Sequence, residues 1–328
     1  MTAARLAPLI SFNAWNQLCF VPESGDVAEP KDLSTFTKVL DDDCLERPRA
    51  GLYYTLVRGR AGYYRAGIGV ETASDEDIQR SYRACRAGNG LTVIFDGPTS
   101  AEITGMRLGP NKHFLTVHPC YDDFVSKSNP TSWPCNSQVQ EVASFAAGFI
   151  ILYQNGEVAT MGDPRYQDCL AREVTSDEPA DQPGFVPDLI NLGEPIKHVT
   201  AGGYCLAALT QSGSIYIWGR RCTGQRQSGH SAFAELCGIP NYLGVDGDKD
   251  VQDVALGDSH AIALTTDGTV YVIGRNDNGQ LGLRQGVDMV AKTWTKVKLG
   301  VPDGCQVVGV AAGPKSSFIL TAQKTGVT

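Results

Sequence analysis

Val199-Thr-Ala-Gly-Gly-Tyr-Cys-Leu-Ala-Ala-Leu-Thr-Gln-Ser-Gly-Ser-Ile-Tyr-Ile-Trp-Gly219 is answered by Val254-Ala-Leu-Gly-Asp-Ser-His-Ala-Ile-Ala-Leu-Thr-Thr-Asp-Gly-Thr-Val-Tyr-Val-Ile-Gly274. The two stretches are copies of one unit. Val142 to Gly162 is a looser copy upstream, and Val310 to Thr321 repeats the first half downstream. With Phe145, Gly202, Gly257 and Gly313 as anchors, the steps are 57, 55 and 56 residues. A repeat of that length in a strand-rich pattern predicts an all-β propeller and favours protein binding over catalysis.

Each unit has three parts. A small-residue corner with glycine (Ala201-Gly-Gly203, Leu256-Gly257, Ala312-Gly313) lets the chain bend and backbones approach. A short apolar run follows (Cys205 to Leu209, Ala261 to Leu264, Phe318 to Leu320), as expected of a strand buried on both faces. A two-residue turn then reverses the chain at Asn155-Gly156, Ser212-Gly213 or Asp267-Gly268, and Ser214 to Trp218 or Thr269 to Ile273 returns. Asn-Gly and Asp-Gly suit the positive φ of such turns.

Fainter copies begin at Gly51, Ala87 and Leu108, the last too close behind its predecessor to make a blade of its own. Six units are recognisable and the seventh is incomplete. The two ends complement each other. Ser11 to Cys19 matches the stretch after Gly274, with Asn13, Gln17 and Leu18 opposite Asn276, Gln280 and Leu281. The last unit stops at Thr321 without a returning strand, so Leu6 to Phe12 is expected to supply it and leave no open sheet edge. Trp15 and Trp218 are expected in the core.

The glycine corner, Ser259-His260, Leu264-Thr-Thr-Asp-Gly268, Val270-Tyr-Val-Ile-Gly274 and Asn276-Asp-Asn-Gly-Gln-Leu-Gly282 together resemble the regulator-of-chromosome-condensation repeat. The match is specific over 196–283, good over 139–163 and 305–321, and faint from 35 to 117. The resemblance implies seven blades joined by a strand exchanged between the termini; the repeats alone support six nearly as well. It also implies several occupations for one scaffold. One member exchanges nucleotide on the small GTPase Ran and docks on chromatin. A short fungal member pairs with a small zinc-ribbon protein in diphthamide synthesis and tRNA modification. Others are adaptors for ubiquitin ligases or demethylases.

The 328 residues are expected to form a single propeller domain, 1–328. Met1 to Ile10 does not read as a secretory signal, and no apolar run is long enough to span a bilayer. Ten cysteines, several inside expected strands, read as reduced thiols of a cytoplasmic protein, with the nucleus as the alternative address. A net charge of −8 without a basic tail argues against nucleic acid as the main partner.

His113, His118, Cys120 and Cys135 share one stretch, but there is no Cys-x-x-Cys, and no metal site or cofactor is expected. Asp258-Ser259-His260 is contiguous, and neighbours in a strand point to opposite faces, so it makes no relay. No catalytic residues are expected; the Ser-His pair is read as bonding the corner backbone. Three long connections carry the expectation of binding: Tyr121 to Gln138, Asp163 to Pro195 and Arg220 to Asp250. Tyr121, Asp122, Asp123, Trp133, Arg220, Arg221 and Arg226 are the expected partner-binding residues, since Trp and Arg dominate interface energetics. The leading expectation is a non-enzymatic scaffold partnering a small zinc-ribbon protein. The alternatives are an exchange factor for a Ran-like GTPase and an enzyme using a rim pocket or central channel.

Overall fold

The computed structural model describes residues 4–11, 13–20, 33, 36–69, 74–95, 113–220, 233, 235–283 and 289–324. The chain opens with β1 (Ala4–Ser11) and β2 (Leu40–Asp41). A three-stranded sheet follows: β3 (Arg49–Ala50), β4 (Tyr54–Arg58) and β5 (Tyr63–Gly67). Four-stranded sheets come next. The first has β6 (Ala84–Arg86), β7 (Thr92–Phe95), β8 (His113–His118) and β9 (Thr131–Cys135), and the second β10 (Val139–Phe145), β11 (Gly148–Tyr153), β12 (Val158–Gly162) and β13 (Gly184–Phe185). The third has β14 (Ile196–Gly202), β15 (Cys205–Thr210), β16 (Ile215–Gly219) and β17 (Asn241–Leu243). The fourth has β18 (Val251–Leu256), β19 (His260–Thr265), β20 (Val270–Arg275) and β21 (Val290–Lys296). Finally β22 (Cys305–Gly313) and β23 (Ser316–Gln323) join the chain start in the order β2-β1-β23-β22. Strand β1 runs antiparallel to β23, with Ala4 opposite Ala322 and Leu6 opposite Leu320.

The fold is an all-β propeller, but the expected count of seven blades, or six, is corrected. Among the described residues five sheets have the four strands of a full blade, and the β3-β4-β5 sheet stops at three. The copy at Leu108, expected to make no blade of its own, contributes β8 to the same sheet as the copy at Ala87. β7 and β8 pair directly, Thr92 opposite His118 and Phe95 opposite Leu115, so the second copy is the returning strand of the first.

The sheets fall into two compact units. Unit 1 (1–79, 222–234 and 244–328) holds the three sheets that contain β1, β3 and β18; unit 2 (80–221 and 235–243) holds those that contain β6, β10 and β14. Within each unit, neighbouring blades pack through their first strands, β10 on β14 and β18 on β22. Burial explains the apolar runs: every residue of β11, β15 and β19 is buried. In unit 2, Phe145, Ile150, Leu152, Val199, Leu206 and Trp218 share one core cluster. In unit 1, Ile262, Leu264, Val272, Val310 and Ile319 share another. Trp218 is fully buried and its indole N–H donates to the Cys169 carbonyl at 3.0 Å. Trp15 is corrected: it lies at a turn tip and is 38% exposed.

The repeat also specifies how blades join. At the corners, Gly88 N donates to Phe145 O, Ala146 N to Gly203 O and Asp258 N to Pro314 O, each reaching the next blade. In the first strands, a carboxylate does the same. Glu141 Oε2 accepts the Val199 amide at 3.2 Å and lies 2.7 Å from His198 Nδ1. Asp253 Oδ2 accepts the Val310 amide at 2.8 Å. These bonds give buried backbone donors of the first strands an acceptor on the neighbouring blade.

Candidate functional site

All three long connections occupy the same topological position. They leave the third strand of a blade (β8, β12, β16) and lead to its fourth. The chain turns out of the third strand over a tight approach. Gly219 has φ of 138° and Gly274 of 112°, and a Cβ at Gly219 would sit 2.1 Å from the Tyr204 carbonyl oxygen. The next residue then donates to that corner carbonyl: Arg220 N to Tyr204 O at 3.0 Å, Arg275 N to Ser259 O at 2.9 Å and Ile68 N to Tyr53 O at 2.9 Å.

Arg220 is thereby placed beside an aromatic stack. Tyr166, from the connection after β12, lies on Tyr204 with ring centroids 5.0 Å apart and planes 22° apart. The Arg220 guanidinium sits 5.2 Å from the Tyr166 ring centroid, and Arg165 sits 5.9 Å from it. Both arginines are exposed and both tyrosines are half-buried. A hydrogen bond shared with Tyr166, then burial, raises the Tyr204 pKa above the usual tyrosine value. The Arg165 charge is matched by Asp163, whose Oδ2 accepts from Nη2 at 2.6 Å; that bond holds the Asp163 carboxyl below its usual range. Among the described residues no carboxylate pairs with Arg220. An exposed guanidinium over a ring face is ready to receive an acidic or aromatic group.

The connection that presents Tyr166 is held from within. Arg172 is half-buried and donates to the carbonyls of Glu178 at 3.1 Å, Pro179 at 3.0 Å and Gln182 at 2.9 Å. Burial pushes its pKa down. An open recess beside it is lined by Asp168, Glu173, Asp188 and Ile239. Its one guanidinium, that of Arg172, is engaged by these backbone carbonyls.

The other expected site residues are dispersed. Tyr121, Asp122 and Asp123 open one short helix, Tyr121–Ser126. Tyr121 is exposed, and the Arg86 guanidinium lies 4.7 Å from its ring centroid. Asp122 is exposed. Asp123 is occupied by its own loop: Cys120 Sγ, Ser128 Oγ and Asn129 Nδ2 donate to its carboxylate, and the first of these bonds does most to lower its pKa. Trp133 lies within β9 opposite Leu115, half-buried against the cluster of Val93, Leu115 and Val117. It belongs to the packing of its blade. Arg221 and Arg226 lie outside the described residues. Tyr166, Tyr204 and Arg165 were missed by the sequence reading; the adjacency of Tyr204 to the repeat's Gly-Gly corner was the available signal.

His113 stands opposite Cys135 across β8 and β9, and His118 is buried with Nδ1 3.0 Å from Ser128 O. Among the described residues no group of three or more His, Cys, Asp or Glu side chains is placed to hold a metal ion. His260 is fully buried with Nε2 3.2 Å from the Ser316 carbonyl of the next blade, a structural bond.

Comparison with known proteins agrees with this construction. Residues 251–280 and 267–320 match the Regulator of chromosome condensation (RCC1) repeat. The Regulator of chromosome condensation of Mus musculus is 29% identical over 161 residues, 49% of this chain and 37% of that protein. The human protein of that name is 34% identical over 139 residues, 42% of this chain and 31% of its own length. The chain thus matches about a third of the length of these relatives. Among solved structures, human WBSCR16 has a TM-score of 0.60 at 15% identity, covering 98% of this chain and 100% of that one. Prp20p of Saccharomyces cerevisiae, described with its binding to Gsp1p and histones, has a TM-score of 0.61 at 12% identity, covering 98% and 92%. Residues 251–320 of this all-β propeller thus match the Regulator of chromosome condensation (RCC1) repeat, and the solved structures share its fold. Among the described residues no helix is long and apolar enough to cross a membrane.

Proposed function

We propose that this chain is a non-enzymatic protein-interaction scaffold, one propeller domain over 1–328, that binds a partner protein through the connections leaving its third strands. The observation that carries the reading is the Arg220 guanidinium, unmatched by a described carboxylate, over the Tyr166–Tyr204 stack. Arginine and tyrosine are the side chains most often found to dominate interfaces. Tyr121, Asp122, Asp123, Trp133, Arg221 and Arg226 remain proposed partner-binding residues, with Tyr121 the best presented of those described. The partner we assign is a small zinc-ribbon protein acting in diphthamide synthesis and tRNA modification, in the cytoplasm or the nucleus. The acidity of the chain, a net charge of −8, supports this choice. Titration calorimetry of the purified chain with such a protein tests it. Association at micromolar concentration or tighter, weakened about tenfold or more in Arg220→Ala and Tyr166→Ala, is the expected result; about 1.4 kcal/mol corresponds to tenfold. Absence of association at micromolar concentrations overturns it.

The second reading is an exchange factor for a Ran-like GTPase. It is favoured by the identity to proteins named Regulator of chromosome condensation and by the fold shared with Prp20p. Accelerated release of labelled GDP establishes it, and unchanged release at stoichiometric protein removes it.

A further inference from the structure

The turn from Asn13 to Leu18 has a twin in Asn276 to Leu281, and the twin shows what the turn needs. Gln17 Oε1 accepts the Trp15 amide at 3.0 Å, as Gln280 Oε1 accepts the Asn278 amide at 2.9 Å. Asn278 therefore stands where Trp15 stands, and the backbone requires no indole there. Tyr53 stands where another blade has Ser259, since each corner carbonyl accepts the amide that follows the third strand. The corner requires no phenol either. Yet the two rings meet edge to face, centroids 5.4 Å apart, and are 38% and 49% exposed, with Ile68 beside Tyr53 at 51%. Adjacent exposed apolar side chains that the fold does not use mark a contact surface.

The surroundings say what the surface accepts. Residues 13–20, 50–57 and 66–69 contain no Asp, Glu, Lys or Arg, in a chain of net charge −8. A charged group brought here would lose water and find no counter-charge within these stretches, whereas an aliphatic side chain would lose nothing. From this we infer that Trp15, Tyr53 and Ile68 form a docking site in unit 1 for an uncharged, apolar segment of a partner protein, a loop or helix tip inserting Leu, Ile, Met or Phe beside the indole. The site differs in chemistry from the Arg220 cluster and does not depend on it.

The test places the photo-crosslinker benzoylphenylalanine at position 15 of the full chain in its native cells and maps the crosslinked peptide by mass spectrometry. A synthetic peptide of the mapped segment is then titrated against the purified chain. The expected segment belongs to another protein, is apolar and carries no charge at the contact. Its Kd should rise about tenfold or more in both Trp15→Asn and Tyr53→Ser and stay unchanged in Arg220→Ala. The two variants copy Asn278 and Ser259, and unchanged thermal unfolding confirms that the turn and corner persist. A charged segment, an adduct with a second copy of this chain, an adduct with lipid, no adduct, or affinity indifferent to both variants overturns the inference. Loss of binding in Arg220→Ala alone supports the cationic site and not this one.

Discussion

Asn13 and Asn276 make the same bond at opposite ends of the chain: Asn13 Oδ1 accepts the Leu18 amide at 3.1 Å, and Asn276 Oδ1 accepts the Leu281 amide at 2.9 Å. The correspondence extends to the backbone, where Asn16 N donates to Asn13 O and Gly279 N to Asn276 O, both at 3.0 Å. Asn16 has φ of 54° and Gly279 of 80°. Each turn crosses onto the next blade, Gln17 Nε2 donating to Leu52 O and Gln280 O accepting from Ser317 Oγ. The turn is therefore a blade-to-blade fastener, used after β1 as after β20.

The left-handed position makes the twins respond differently to substitution. Gly279→Ala should cost about 1 kcal/mol, the penalty of a Cβ in that region, whereas Asn16→Gly should change stability by less than about 0.5 kcal/mol because asparagine already tolerates it. Urea unfolding of the two variants measures the difference.

Asp253 ties three segments of unit 1 together. Its Oδ1 accepts from Arg47 Nη2 at 2.6 Å and from the Val254 amide at 2.9 Å, while Oδ2 takes the Val310 amide. Asp253→Ala removes the acceptor used by the buried Val310 amide and by Arg47 Nη2 and should cost about 3 kcal/mol. Gly309 packs against the same carboxylate, where a Cβ would lie 3.1 Å from Oδ2. Gly309→Ala should destabilise by a smaller amount, and the double variant should cost less than the sum, measured as a double-mutant cycle in urea.

Acid should loosen the end of the blade that contains β19 and β20. Asp267 is held far below 3.8 by the Thr265 hydroxyl, then by the Thr269 amide and Lys249, and Asp246 is lowered by the Tyr271 hydroxyl and Lys249. The folded state thus binds fewer protons than the unfolded chain as pH falls through the carboxylate range. The stabilisation is complete above the unfolded pKa and is lost as pH drops from there toward the folded values. Urea midpoints measured from pH 6 to pH 2 should fall less steeply in Asp267→Asn than in the parent.

Thiol reactivity should follow burial. Cys169 and Cys205 are buried, and desolvation pushes the Cys169 thiol up to about 12 and the Cys205 thiol higher still. Cys19, Cys120 and Cys237 are exposed. Among the described cysteines, timed iodoacetamide labelling mapped by mass spectrometry should modify those three first and reach Cys169 and Cys205 only after unfolding, because the thiolate is the reacting species.

The cluster at Arg220 was partly legible. Its backbone position follows from the repeat, since the residue after Gly219 must leave the third strand, and an arginine there is visible in the chain. Tyr166 was not legible. It meets Tyr204 from the short turn Pro164–Tyr166 that follows β12 and is capped by the Asp163 side chain, and no repeat or spacing in the sequence marks that contact. Trp133 is a different case. A tryptophan in a long polar connection reads as exposed, yet the stretch around it pairs as β9.

By itself the sequence determined the repeat, its hairpins, its glycine corners and the kinship of Asn13 with Asn276. These are local matters, encoded by glycine where φ is positive and by apolar runs of strand length. Only the tertiary structure decided that Thr92–Phe95 and His113–His118 belong to one sheet, that Trp15 faces water beside Tyr53, and that Arg220 meets the Tyr166–Tyr204 stack. Those relationships join residues distant in the chain through packing and hydrogen bonds that leave no period in the sequence.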